Sequence, residues 1–230
     1  MGSLVEKAKE MAASKALNYL YDAEIIGVGT GSTVEKLIAK IGLERDVFSA
    51  KIFVPSSYDT LIKLQSLGLK VVSTEFLVEK PDVYVDGADE VTRNLVLIKG
   101  RGGALLREKI LAYFSKKRIY IVDYTKLVSV LGEKKPLPVE VVPYALGWVL
   151  SELRKKKLNP KIRMCRNGKD GPVITDSGNT IIDLYIKIQD PKSLEKELKR
   201  IPGIVETGLF INLADMIIVG YPDKVDVITP

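Results

Sequence analysis

Apolar residues recur along this chain with two spacings, and the switches between them set out its elements. Residues 4–21 repeat apolar positions at helical spacing and read as an amphipathic helix. Short apolar runs of strand length follow at Glu24–Gly29, Lys51–Pro55, Leu69–Ser73, Asp82–Asp86, Leu95–Lys99 and Arg118–Asp123. Helical patterns over Ser32–Ile41, Ser57–Leu67 and Ala104–Ser115 separate several of them. Strands alternating with helices predict a parallel sheet covered by helices.

After Lys126 the rhythm changes. Pro136-Leu137-Pro138 opens a segment that reads strand (Val139–Val142), helix (Tyr144–Lys156), strand (Lys161–Cys165), strand (Thr180–Lys187), helix (Pro191–Arg200) and strand (Ile204–Ile211). That βαββαβ order is the split-βαβ, ferredoxin-like pattern. Asn167-Gly168-Lys169-Asp170-Gly171-Pro172 reads as a loop by its turn residues. Asp215–Gly220 is again a strand and is expected to rejoin the first sheet, which makes the smaller domain an insertion.

Composition changes this picture mainly by exclusion. The 230 residues suffice for a larger and a smaller domain, and 46% apolar with 28% charged residues describes a chain able to bury a core. The formal charge of +6 is scattered. Lys116-Lys117-Arg118 and Arg154-Lys155-Lys156-Lys157 fall at apparent helix ends, where cations suit the macrodipole, so they read as solvated termini rather than a nucleic-acid patch. Histidine is absent, which excludes Ser-His-Asp and Cys-His catalysis and histidine-ligated zinc. Cys165 is alone, so no internal disulfide or cysteine-pair metal site is expected. Proton transfer must fall to carboxylates, lysines or tyrosines. No secretory leader and no apolar run of about 18 residues is visible, so a cytoplasmic protein without a membrane partner is expected.

Four segments at the ends of strand-like runs carry the candidate chemistry. Gly27-Val28-Gly29-Thr30-Gly31-Ser32-Thr33 is a strand–loop–helix junction whose N–H groups and hydroxyls suit an anion. Its G-x-G-x-G spacing is not the dinucleotide fingerprint, and Lys51–Pro55 ends without an acid for a ribose diol. A tight turn with a serine cap is the plainer reading. Asp86-Gly87-Ala88-Asp89-Glu90 places two carboxylates at a strand end, for sugar hydroxyls, Mg²⁺ or a helix cap. Lys99-Gly100-Arg101-Gly102-Gly103-Ala104 supplies a lysine able to stabilise charge growing on a substrate oxygen. Asp123-Tyr124-Thr125-Lys126 offers a second cation, for phosphate or simply for solvent.

Glu108 is the sharpest single residue. Its helical neighbours Ala104, Leu105, Leu111 and Ala112 are all apolar, so no residue three or four positions away can pair with it. A carboxylate on such a stripe suits a general base near neutral pH. A buried glutamate salt-bridged to another element is the alternative.

Together these segments resemble ribose-5-phosphate isomerase, type A. The likeness runs through Gly29-Thr30-Gly31-Ser32-Thr33, Asp86-Gly87-Ala88-Asp89-Glu90, the stretch from Lys99-Gly100 to Arg107-Glu108-Lys109, and Pro136-Leu137-Pro138-Val139-Glu140-Val141. It continues in Thr175-Asp176-x-Gly178-Asn179 and in Pro202 to Phe210, and so spans almost the whole chain in order. The resemblance implies a Rossmann-like parallel-sheet domain, residues 1–130 and 212–230, with an inserted ferredoxin-like α+β domain, residues 131–211. It implies a homodimer or homotetramer acting on a phosphorylated pentose, with no required metal or organic cofactor. The general base then falls on Glu108 and the substrate carboxylates on Asp86 and Asp89. Lys99 and Lys126 are the lysines, Thr30, Gly31, Ser32 and Thr33 the phosphate side, and Lys9 a lesser helper. Gly87, Ala88, Gly100, Arg101 and Gly102 complete the substrate loops, Arg101 standing where some members carry glycine. Two rivals are a phosphosugar sensor, for which no DNA-reading segment is present, and an amino-sugar phosphate deaminase of related architecture.

Overall fold

A computed structural model describes residues 2–165, 168 and 170–230, with backbone alone at Phe76. Of the loop expected over 167–172, Asn167 and Lys169 lie outside the described residues. The chain forms two compact units. Met1–Ala88, Arg107–Lys126 and Asn212–Pro230 make the first, and Asp89–Leu106 with Leu127–Ile211 the second. Among the described residues no helix is long and apolar enough to cross a membrane.

The first unit holds a seven-stranded sheet, in which β1 (Ile25–Val28), β2 (Ile52–Pro55), β3 (Lys70–Val71), β4 (Val83–Asp86), β7 (Lys117–Asp123) and β13 (Met216–Gly220) run parallel. β14 (Val225–Ile228) closes one edge antiparallel to β13, giving the order β14-β13-β7-β4-β1-β2-β3. The expected return of the chain to this sheet is therefore β13, seated on β7. The apolar runs read from the sequence become strands because both faces are buried: on one, Ile26, Val28, Val83, Val85, Ile119, Ile121 and Ile218 enter a core with Val34, Leu37, Ile38 and Ile41 of α2 (Ser32–Leu43), and on the other Tyr84, Tyr120, Val122, Ile217 and Val219 are buried. The helix α1 (Gly2–Leu17) adds Ala12, Ala13 and Ala16, whose small side chains let it lie close to the sheet. A Cβ on Gly220 would sit 1.9 Å from the Ala8 carbonyl oxygen. The short α3 (Arg45–Phe48) anchors Phe48, and α4 (Tyr58–Ser66) starts at a Ser57 cap whose Oγ accepts the Thr60 N–H.

Strand order reverses between β1 and β4. The chain builds outward from β1 through β2 and β3, then returns to β1's other edge with β4. In an open parallel sheet the carboxyl ends at such a switch point are where ligands bind.

In the second unit, β8 (Leu137–Val141), β9 (Pro160–Ile162), β10 (Thr180–Leu184) and β11 (Ile204–Thr207) form an antiparallel sheet ordered β11-β8-β10-β9. With α6 (Leu146–Lys155) after the first strand and α7 (Pro191–Leu198) before the last, this is the ferredoxin-like arrangement. Val139, Val141, Ile182, Leu184, Val149, Leu153 and Leu198 pack into its core.

Two strand readings are corrected. The sequence pattern puts Leu95–Lys99 in the parallel sheet, but its β6 (Leu97–Ile98) pairs antiparallel with β5 (Glu90–Val91) and β12 (Leu209–Phe210). Residues 89–106 accordingly cluster with the second unit, so the chain leaves the first one twice. The run Ile204–Ile211 is not one strand either. It breaks at Gly208, whose Cβ would lie 2.2 Å from the Lys99 carbonyl oxygen, and its halves join different sheets.

Candidate active site

In the first unit the carboxyl ends of β1 and β4 meet in direct contact. Asp86 is fully buried at the last position of β4. Its Oδ1 accepts the N–H of Thr30 at 3.1 Å and of Gly87 at 2.7 Å, and its Oδ2 accepts the Tyr84 hydroxyl. Tyr84 stands edge-on to Tyr120, ring centroids 6.3 Å apart, and both rings are entirely buried. Burial raises both hydroxyls well above the ordinary tyrosine range, and the charges of Asp86 and Glu108 raise them further. The two carboxylates therefore act on one buried pair of phenols, which stay protonated donors through the neutral range.

Glu108 lies in the first turns of α5 (Leu105–Phe114) and is 3% exposed, among the buried Ala104, Leu105, Leu111 and Ala112 that the sequence pattern placed around it. Carboxylates at this depth are rare in proteins.

The loop after β1 carries a hydroxyl cluster. Thr30 Oγ1 lies 3.0 Å from Ser56 Oγ, 2.7 Å from Ser57 Oγ and 3.2 Å from Thr60 Oγ1, and Thr60 Oγ1 donates to the Gly29 carbonyl at 2.7 Å. Gly31 takes φ +130° with open space beside it, then α2 begins, and among the described residues no side chain caps its first turn. Exposed N–H groups and a positive dipole end are what an anion seeks. Ser32 is exposed here, whereas Thr33 is buried. Lys126 closes the turn after β7, where buried Asp123 accepts the Thr125 N–H at 3.0 Å and the Thr125 hydroxyl. Lys9 on α1 is held by Glu6 at 2.7 Å.

The second unit carries Asp89, Lys99, Gly100, Arg101 and Gly102. Asp89 Oδ2 accepts the Arg101 N–H at 2.9 Å, which ties the first turn after β4 to the glycine loop after β6. Lys99 is 2% exposed, and its Nζ lies 5.5 Å from the centre of the Phe210 ring. Arg101 and Gly102 are exposed. The neighbouring Glu90 is buried and takes the N–H groups of Gly132, Lys134 and Lys135 at 2.5–2.6 Å, so it is a structural anchor.

Comparison with known proteins decides the family. The family model of ribose 5-phosphate isomerase A (phosphoriboisomerase A) matches residues 52–224. The chain is 45% identical to ribose-5-phosphate isomerase A of Pyrococcus horikoshii, over 96% of this chain and 97% of that one. It is 40% identical to that of Korarchaeum cryptofilum, over 98% of both. A solved D-ribose-5-phosphate isomerase in complex with phospho-erythronic acid superposes with a TM-score of 0.93 at 43% identity, over 98% of this chain and 99% of that one. The chain belongs to the ribose 5-phosphate isomerase A family.

In this member of the ribose 5-phosphate isomerase A family, several groups beside the candidate residues lie outside the segments that read as chemical. Ser56, Ser57 and Thr60 are signalled only by Pro55-Ser56-Ser57 at a strand end, a segment whose plainest message is its lack of an acid. Tyr84 and Tyr120 sit inside apolar strands and carry no signal that separates them from core. Glu140, from the Pro-Leu-Pro-Val-Glu-Val motif, is buried and takes Thr175 Oγ1 and Asn179 Nδ2, each at 2.9 Å, on Oε1. Two family motifs thus meet at one internal carboxylate.

Proposed function

We propose that Glu108 is the general base of an aldose–ketose isomerisation, with the phosphate of the sugar held at the start of α2. The reaction of the family interconverts ribose 5-phosphate and ribulose 5-phosphate, and this chain is such an isomerase. In the residue assignment, Thr30, Gly31, Ser32 and Thr33 with Lys126 receive the phosphate, and Lys9 assists from α1. Asp86 and Asp89 bind hydroxyls, and one of them assists opening of the furanose ring. The backbones at Gly87, Ala88, Gly100, Arg101 and Gly102 line the sugar.

Glu108 removes the proton on C2 of the open aldose. The C2–H electron pair forms the C1–C2 double bond, and the carbonyl electrons move to O1, which gives an enediolate. Return of the proton to C1, with transfer of the O2 proton to O1, yields the ketose. Lys99 stabilises the negative charge on the two oxygens, the part that a neutral histidine plays beside the glutamate base of triosephosphate isomerase. The observation that carries this reading is a glutamate 3% exposed on an apolar helix stripe, acting electrostatically on the same two tyrosines as Asp86. A relative's complex with phospho-erythronic acid supports it, because that ligand joins a phosphate to a carboxylate that resembles the enediolate oxygens.

Glu108→Gln is expected to lose about 10²–10⁴ in turnover with its melting temperature kept. Near-native turnover removes Glu108 from the role. Incubation of the parent protein with ribose 5-phosphate in EDTA, followed by a ketose assay, separates the isomerase from a sugar-phosphate sensor, which binds without converting. We also infer a homodimer or homotetramer, supported by the exposed edge-to-face pair Tyr144 and Trp148 and measurable by light scattering.

A further inference from the structure

We infer that Arg163 is a positioning residue for this isomerisation, through a guanidinium clamp on the glycine loop that carries Lys99. The inference rests on the assignment of Lys99 and Asp89 above.

The loop has little stiffness of its own. Gly100 and Gly103 adopt φ +106° and +82°, conformations open to glycine because it has no Cβ to restrict its backbone. Restraint comes instead from two sides. On one side the Arg101 N–H donates to Asp89 Oδ2 at 2.9 Å, and the Lys99 N–H donates to the Gly208 carbonyl at 2.9 Å. On the other, Arg163 Nη1 donates to the carbonyls of Gly100 at 2.8 Å and Arg101 at 3.0 Å.

The clamp is itself fixed. Arg163 Nε donates to Asp183 Oδ2 at 2.9 Å and its Nη2 to Asp183 Oδ1, a two-pronged pair. Asp183 belongs to β10, and the Arg163 backbone N–H continues the pairing beyond β9 by donating to the Ile181 carbonyl at 2.8 Å. The antiparallel sheet thereby holds the guanidinium, and the guanidinium holds the loop. Its charge is matched by Asp183, so its effect on the reaction is geometric. A lysine at this position lacks the planar fork and cannot make the two-pronged bond to the carboxylate while it also reaches both carbonyls.

The test compares Arg163→Lys, Arg163→Ala and Lys99→Met with the parent enzyme for kcat, KM and melting temperature. Arg163→Lys is expected to lose about tenfold or more in kcat, because a small misplacement of a catalytic group costs one to two orders of magnitude, with KM for ribose 5-phosphate changed less than about threefold. Millimolar guanidinium chloride is expected to restore part of the kcat of Arg163→Ala and none of that of Lys99→Met. Should Arg163→Ala not fold, Arg163→Lys carries the test alone. A kcat within twofold of the parent in Arg163→Lys overturns the inference, and so does a lowered melting temperature with parental kcat in the folded fraction. If Lys99→Met also keeps parental kcat, the assignment of Lys99 fails rather than the clamp.

Discussion

A methyl group on Gly29 would lie 1.9 Å from both Cγ and Oδ1 of Asp86. The backbone after β1 and the carboxylate ending β4 occupy adjoining space, which is why Thr30 N–H can reach Asp86. Gly29→Ala must push one of them away. Overpacking of this kind costs about 1–3 kcal/mol, and displacement of Asp86 should reduce kcat/KM by about 10². Thermal unfolding and a ketose assay read both. Parental kcat/KM in Gly29→Ala would show that Asp86 has no role that depends on this contact.

Tyr84 tests the buried side of the same carboxylate. Its hydroxyl donates to Asp86 Oδ2 and remains protonated, since burial first and the charges of Asp86 and Glu108 next raise it. Tyr84→Phe takes a donor from a fully buried carboxylate at almost no change in volume. The expected loss is about 1–3 kcal/mol in urea unfolding, at the strong end because the acceptor is charged. An unchanged urea midpoint would mean that Asp86 finds an equal donor elsewhere.

The hydroxyls around Thr30 make a prediction about binding rather than chemistry. Ser57 Oγ both caps α4 and lies 2.7 Å from Thr30 Oγ1. Ser57→Ala should therefore cost about 1 kcal/mol of stability through the lost cap. Thr30→Val leaves that cap and removes a hydroxyl from the loop that leads into α2. If the phosphate sits there, Thr30→Val raises KM for ribose 5-phosphate by about tenfold, the worth of one hydrogen bond to a charged group, with a smaller change in kcat. A raised KM in Ser57→Ala but not in Thr30→Val would move the phosphate away from this loop.

Much of this architecture is legible in the sequence, and the failures have a common physical cause. The parallel strands declare themselves because they are buried on both faces and so read as unbroken apolar runs such as Ile25–Val28 and Ile119–Val122. Leu97–Ile98 is as apolar as they are, yet it pairs antiparallel in another sheet. Burial leaves its mark on residue type; partner choice does not. Glu108 stands out because an acid on an apolar stripe contradicts its surroundings. Arg163 and Ser57 do not, because their importance lies in long-range partners, Asp183 and the Gly100 carbonyl for one and Thr30 for the other, that no local spacing encodes.

Glu140 gives the pH dependence of stability. It is buried, and burial raises its carboxyl above the ordinary range despite hydrogen bonds from Asn179, Thr175 and the Leu106 N–H, with the Glu206 charge raising it further. The folded chain therefore holds this proton more tightly than the unfolded chain, where a glutamate titrates near pH 4.3. Stability from this group is fully present below that value and is lost as pH rises through the higher folded value. Glu140→Gln cannot titrate and keeps much of the shape. As pH falls from 7 toward about 4.5, the melting temperature of the parent should rise relative to that of Glu140→Gln, by a difference that grows as the carboxyl protonates. The comparison cancels every other titrating group common to both proteins. A difference that stays flat over this range, or grows in favour of the variant, would mean that Glu140 is no harder to ionise in the fold than in the open chain, and that its three donors outweigh its burial.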